Sequence, residues 1–362
     1  MKIIQIIPCF NFGGAETMCE NLIYSLSDRG HSVSAISLFD THTAITERLE
    51  KRGIRIIYLN KKPGLDLTMF SKIFKVLKKE KPDIVHMHLN SIKYAAPAAK
   101  RAKIKGCVYT VHNMADKDAA GLARKANSFY FKHEWIQPVA LSEIVQDSIN
   151  QVYGIEKDKI PVVYNGSDLS NCIVKKDYEI KDTVKLIHVG RFSAQKNHKG
   201  LLDSFAKIHS EYSNTTLMLL GDGEKREEME QYAKSLGLEE HISFMGNQSN
   251  VYNYLSDSDM FVFPSIYEGV PMTLIEAMGT GLPIVATNVG GIPNMLTDRE
   301  SASLVDCDAQ MVYEACAELI ENKSLREEYG RNAIKAAVKF SSQAMAEGYE
   351  GVYSILINSR KK

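Results

Sequence analysis

The chain has 362 residues, of which 44% are hydrophobic and 24% charged, with no net charge at pH 7. That length exceeds one ordinary core and suits two domains of about 150 residues each, and the composition excludes a disordered chain while no apolar run is long enough to span a bilayer. Charge is uneven, however: between Arg48 and Lys132 stand 20 Lys and Arg against 6 Asp and Glu, which predicts either an anionic partner for this half, membrane lipid or nucleic acid, or a solvated basic face.

A β-rich run at 3–7 leads through a glycine turn to a helical stretch at 16–28, then a strand at 32–38, a helix at 46–51 and a strand at 54–58. Residues 67–79 set Phe70, Ile73, Phe74 and Leu77 at helical spacing, and 83–87, 106–111 and 138–141 read as strands. A second series starts at 184–189 and alternates through 283–287, with helices at 201–211, 227–236, 251–256 and 274–278. Strand–helix alternation at this rhythm predicts parallel sheets covered on both faces. The polar stretch 155–183 is the expected linker, and 340–359 reads as a last helix with Tyr349, Val352, Tyr353 and Leu356 on one face. The run at 3–7 is too short for a secretory signal core, and the six cysteines show no CxxC spacing, so a cytoplasmic protein with reduced thiols is expected.

Gly13-Gly14 stands between the first strand and its helix. Glycine there lets backbone approach a ligand at a helix N-terminus, although a plain turn reads as well and GxGxxG is absent. Arg191 and Lys196 lie on the loop after the first strand of the second series. At that carboxyl edge, where doubly wound sheets bind ligands, they could clamp a diphosphate or be incidental surface charges. Glu268 follows the strand at 260–264, and Glu276 is expected near the start of the next helix, both toward one crevice. Paired carboxylates suit sugar or ribose hydroxyls, or a hydrolase acid and base, or are merely solvated. His86 and His88 share a face at a strand end and could hold a metal together, but lack a third ligand; His112 ends another strand. Structural roles are the plainer reading for all three. Gly221-Asp222-Gly223 reads as a strand-to-helix turn.

Together these residues resemble glycosyltransferase family 4, retaining enzymes of the GT-B architecture. The resemblance covers nearly the whole chain and is carried by Gly13-Gly14-Ala15-Glu16, Asp83-Ile84-Val85-His86-Met87-His88, Thr110-Val111-His112, Gly190-Arg191 with Lys196-Asn197, Leu220-Gly221-Asp222-Gly223, and Gly290-Gly291-Ile292-Pro293. Glu268 and Glu276, with seven residues between them, are its most specific part. Asn294 departs from the glutamate that often follows Gly-Gly-Ile-Pro.

The resemblance implies an α/β, GT-B chain of two Rossmann-like domains facing across a cleft. Residues 1–167 would form the acceptor side and 168–339 the nucleotide-sugar side, with 340–362 a helix returning to the first domain. Arg191 and Lys196 would hold the donor diphosphate, Glu276 the ribose and Glu268 the transferred sugar, with backbone contacts from Met272, Thr273 and Leu274. Gly14 would let the first domain close, His112 would approach the reacting carbon, and Asn247 would border the base. The leaving nucleotide would be stabilised by these cations and by helix N-termini, so no metal and no cofactor beyond the donor, a UDP-sugar, is expected. The expected acceptor is a lipid-linked oligosaccharide of surface polysaccharide synthesis, met at the inner face of the membrane through the basic helices around 67–79 and 124–132. A soluble acceptor or a nonhydrolysing sugar-nucleotide epimerase is the alternative. A nicotinamide oxidoreductase would need GxGxxG, and no nucleic-acid-binding signature accompanies the basic stretch.

Overall fold

The computed structural model describes residues 1–11, 13–248 and 250–359. The chain divides into two compact units, the first comprising residues 1–166 together with the segment from 342 onward, the second residues 167–341.

In the first unit, β1 (Lys2–Ile7), β2 (Ser32–Ser37), β3 (Arg55–Tyr58), β4 (Ile84–His88), β5 (Gly106–Val111) and β6 (Gln137–Ala140) form a parallel sheet in the order β3-β2-β1-β4-β5-β6. Ile3 lies opposite both Val33 and Ile84. The chain winds outward from β1 to β3, then returns to β4 and winds the other way. Crossovers of one hand therefore deliver helices to opposite faces. On one face α1 (Gly14–Asp28) and the chain's last helix (Ser342–Ser359) bury Met18, Leu22, Tyr349 and Tyr353 against Ile3, Ile84 and Val108. Also from this half of the winding, α2 (Ala44–Lys51) packs Ile45 and Leu49 near Ile7 and Ala35. On the other face α3 (Thr68–Glu80), α4 (Ile92–Arg101), α6 (Gly121–Lys132) and α7 (Glu143–Tyr153) cover Ile4, Ile6, Val85 and Met87. A single turn, α5 (Ala115–Asp118), follows β5. The period-2 alternation of a strand explains this division: Ile3 faces one helical layer and Ile4 the other.

The second unit repeats the plan with β7 (Val184–Val189), β8 (Thr215–Leu220), β9 (Ile242–Gly246), β10 (Met260–Phe263), β11 (Ile284–Thr287) and β12 (Ser303–Val305), in the order β12-β11-β10-β7-β8-β9. Its helices are α8 (His198–Glu211), α9 (Arg226–Ser235), α10 (Val251–Ser256), α11 (Met272–Thr280), α12 (Ala309–Glu321) and α13 (Lys323–Ala337). The last helix of the chain is α14.

Two local differences from the sequence reading have clear causes. Helix α8 opens at His198 rather than Leu201 because Asn197, at φ 52°, caps it, its side chain accepting the Gly200 N–H at 3.2 Å. The expected linker is packed in its second half: Tyr178 is buried with its hydroxyl on the Gly281 carbonyl at 2.9 Å, and the buried Arg326 guanidinium donates to the Tyr178 carbonyl at 2.8 and 3.0 Å. A few apolar and aromatic residues in a polar stretch are enough to tie it down, and its composition conceals them.

Candidate donor site at the strand ends of the second unit

The neighbouring strands β7 and β10 end in the two loops that carry Arg191, Lys196 and Glu268 of the expected site. The loops are stitched together. The Ile266 N–H donates to the Gln195 carbonyl at 2.8 Å, Gln195 Nε2 to the Tyr267 carbonyl at 3.0 Å, and Asn197 Nδ2 to the Pro264 carbonyl at 3.1 Å. This brings Lys196 and Glu268 together, Nζ to Oε1 at 2.8 Å, with the side chains only 15% and 6% exposed. The same ammonium lies 4.5 Å from the centroid of the Phe263 ring. Carboxylate and aromatic face thus fix one half-buried cation, which still has N–H groups to give.

Three glycines lie directly beneath the backbone of these loops. Gly290 has φ 56°, and a Cβ there would stand 1.9 Å from the Glu268 carbonyl oxygen; one on Gly291 would stand 2.1 Å from that of Gly269. At Gly221, φ 129°, a Cβ would lie 2.1 Å from the Gly190 carbonyl oxygen. No other residue lets backbone approach this closely.

Helix α11 starts two residues earlier than its predicted span, so Met272, Thr273 and Leu274 form its first turn after the Pro271 cap. First-turn amides have no partner within the helix and favour anions. The Leu274 N–H, however, already reaches the Pro271 carbonyl at 3.2 Å, and the Thr273 hydroxyl is buried without a partner. Glu276 is not at the helix start but in the middle of α11, 8% exposed. Burial pushes its carboxyl up to about 7, opposed by the hydroxyls of Ser167 and Tyr252; of these, Ser167 Oγ lies outside hydrogen-bond range. Sequence reasoning missed Ser167, Tyr252 and Phe263, which carry no motif and are brought in only by the fold.

The remaining residues have surroundings of their own. Arg191 is largely exposed and pairs with Glu224 at 3.1 Å. Asn247 is exposed just beyond β9, whose last residue Gly246 accepts the Gly221 N–H at 2.8 Å. In the first unit Gly14 is the exposed first residue of α1, and a Cβ on it would meet nothing within 4 Å. His112, half-buried after β5, has Nε2 3.0 Å from His88 Nδ1, and burial pushes it down to about 4. His86 and His88 do share a face, with ring centroids 4.2 Å apart, and both nitrogens of each ring have partners in the protein. Among the described residues no group of three or more His, Cys, Asp or Glu could hold a metal ion.

Comparison with known proteins agrees with the fold. Residues 12–171 match the family described as Glycosyltransferase Family 4, and residues 173–336 match Glycosyl transferases group 1. The N-acetyl-alpha-D-glucosaminyl L-malate synthase of Bacillus anthracis is 28% identical, covering 100% of this chain and 99% of that protein. The UDP-Gal:alpha-D-GlcNAc-diphosphoundecaprenol alpha-1,3-galactosyltransferase of Escherichia coli is 28% identical over 62% of this chain and 63% of its own length. Among solved structures, Anabaena Alr3699/HepE in complex with UDP and glucose shares the fold, with a TM-score of 0.84 at 19% identity over 98% of this chain and 99% of that one. Two parallel-sheet, Rossmann-like units of this kind define the GT-B class. The two family matches span nearly the whole chain, which belongs to glycosyltransferase family 4 and is a glycosyltransferase.

Proposed function

We propose that this enzyme transfers a sugar from a UDP-sugar, with retention of anomeric configuration and without a metal, to a lipid-linked oligosaccharide in surface polysaccharide synthesis. The observation that carries the donor half is the half-buried Lys196–Glu268 pair on the loops that lead out of β7 and into α11. A departing nucleoside diphosphate gains negative charge, and a fixed ammonium with the N-terminus of α11 stabilises it without reorganising. Glu268 would turn its remaining lone pairs to the sugar hydroxyls, and Glu276 would take the ribose hydroxyls once ionised. Arg191, free to swing from Glu224, would complete the diphosphate clamp, Asn247 would border the base, and His112 would address the sugar. UDP as nucleotide is supported by the likeness to a fold captured with UDP and glucose.

For the acceptor, the Escherichia coli relative acts on a diphosphoundecaprenol-linked sugar. The first unit also has a surface suited to lipid. Leu65, Leu67 and Leu122 are 74%, 77% and 84% exposed, and Lys62, Lys75, Lys78 and Lys125 of the same stretches are exposed as well. Apolar side chains set among lysines suit an anionic interface, and among the described residues no helix is long and apolar enough to cross a membrane. One observation favours a second reading, a small soluble hydroxy-acid acceptor: a relative matched end to end is an N-acetyl-alpha-D-glucosaminyl L-malate synthase.

The test offers UDP-, GDP- and ADP-sugars to the purified chain, with magnesium or with EDTA. Acceptors are diphosphoundecaprenol-linked sugar in vesicles and free L-malate, and the product anomer is read by NMR. Transfer from the UDP-sugar in EDTA to the lipid acceptor, with retention, is expected. Transfer to malate alone selects the second reading; inversion, or dependence on magnesium, overturns the mechanism.

A further inference from the structure

Lys196 is flanked by two residues that both reach the loop after β10. On one side, the Gln195 carbonyl accepts the Ile266 N–H at 2.8 Å. On the other, Asn197 stands where a single 3-10 turn, Ala194–Lys196, gives way to α8, with φ 52° and ψ 45°. Its side chain works in both directions. Oδ1 accepts the Gly200 N–H at 3.2 Å and so caps α8, while Nδ2 donates to the Pro264 carbonyl at 3.1 Å and lies 3.4 Å from Cys307 Sγ. The partners fix which end of the amide is which, since the Gly200 N–H needs the oxygen and the Pro264 carbonyl needs the nitrogen.

Both ends of this link are anchored. Pro264 directly follows Phe263, the ring whose centroid lies 4.5 Å from Lys196 Nζ. At the other end His198, the first residue of α8, is buried with its ring stacked on that of Phe192 at 3.9 Å between centroids. The link therefore joins two packed elements, and Lys196 lies next to it. The position makes three demands: a left-handed backbone, an acceptor for the cap and a donor for the β10 loop. Glycine would meet the first and aspartate the first two, whereas asparagine meets all three. A cap alone does not call for an amide; the bond from Nδ2 does.

We infer that Asn197 is a positioning residue for Lys196: its amide ties the loop after β7 to the loop after β10, and so holds the ammonium against Glu268 and Phe263. The inference rests on the reading that Lys196 meets the donor diphosphate. With the tie cut, the ammonium is still present and charged but no longer fixed. Stabilisation of the charge that develops on the leaving group then falls more than the hold on the ground-state donor.

The test uses two variants of the full chain. Asn197→Gly keeps the left-handed backbone and loses cap and tie together; Asn197→Asp keeps the cap and loses only the tie. Lys196 is followed by its rate of acetylation with acetic anhydride, read by mass spectrometry of the peptide that carries it, and turnover by UDP release from the UDP-sugars offered above. Both variants should acetylate Lys196 about tenfold faster than wild type, the worth of one lost hydrogen bond in the opening of the loop. In both, kcat should fall about tenfold while KM for the UDP-sugar moves by less than about threefold. An Asn197→Asp chain that matches wild type in both readouts would show that the cap is all that matters and overturn the inference. So would a Lys196 labelled at the wild-type rate in both variants, or a loss of turnover in Asn197→Asp alone, which would be an effect of the added charge. Should Asn197→Gly fail to fold, Asn197→Asp decides alone. If the labelling is as inferred but Lys196→Ala turns over normally, what fails is the diphosphate reading and, with it, the functional half of the inference.

Discussion

Glu276 gives a prediction in which stability and function move in opposite directions. Its carboxyl titrates near 7 in the folded chain against an ordinary 4.5, because α11 buries it. The folded state thus ionises it less readily than the unfolded one, a difference of about 3 kcal/mol once both forms are charged. Above pH 7 the whole cost is present. As pH falls through 7 the folded carboxyl takes up its proton first, and below 4.5 the cost is gone. Glu276→Gln removes the charge and keeps the shape. At pH 8 the second unit of E276Q should therefore be more stable than wild type by about 3 kcal/mol, roughly 6–12 °C in melting temperature for a unit of this size. At pH 5 the gap should shrink to about 1 kcal/mol or less. The same variant should bind UDP about 10- to 100-fold more weakly, since an amide offers one acceptor oxygen where a carboxylate offers two. Calorimetric melts at pH 8 and pH 5, with UDP titrations alongside, measure all three effects. A variant no more stable than wild type at pH 8, or a gap that does not narrow at pH 5, would refute the burial argument. Unchanged UDP affinity would refute the ribose assignment.

Lys196→Ala leaves Glu268 charged and buried without its partner, so urea melts should show a loss of about 3–5 kcal/mol, most of it recovered on adding Glu268→Gln, while turnover stays low in both. Arg191→Ala cuts only an exposed ion pair, so its stability should change by less than about 0.5 kcal/mol. Its kcat/KM should nevertheless fall about 100-fold if the guanidinium stabilises the leaving diphosphate. Gly290→Ala drives a methyl into the Glu268 carbonyl at a positive φ. It should cost roughly 1–3 kcal/mol and lower UDP affinity together, as melts and titration in the presence of UDP would show.

Strand–helix alternation made the architecture legible, because a strand buried on both faces needs a continuous apolar run and each crossover needs a helix. Most strands lie within a residue or two of where the sequence put them, as at 184–189 and 106–111. The charged residues of the site were legible as types. Their environments were not, because partners come from far along the chain. Phe263 reaches Lys196 across 67 residues of sequence, and Gly290 is a glycine only because the Glu268 carbonyl lies against it. Glu276 has the same letter whether solvated or buried, and α11 starting at Met272 rather than Leu274 is what moves it inward from the helix end. The apolar face of α14 was visible at Tyr349, Val352 and Tyr353, but not that both tyrosine hydroxyls would enter a histidine network.

The membership of α14 in the first unit has a consequence for how the protein is made. During synthesis the ribosome releases β1 to β6 first and Ser342–Ser359 only after the whole second unit. Until then, Met18 and Leu22 of α1, with Ile3, Ile84 and Val108 of the sheet, lack the covering that Met345, Tyr349, Val352 and Tyr353 supply. The unit that emerges first is therefore completed last, and the whole second unit is translated in the interval. A nascent chain halted before α14 presents a bare apolar face, the kind of surface that draws chaperones or aggregates. A truncation just before Ser342 would thus undo packing around β1 and α1, more than 300 residues away in the sequence.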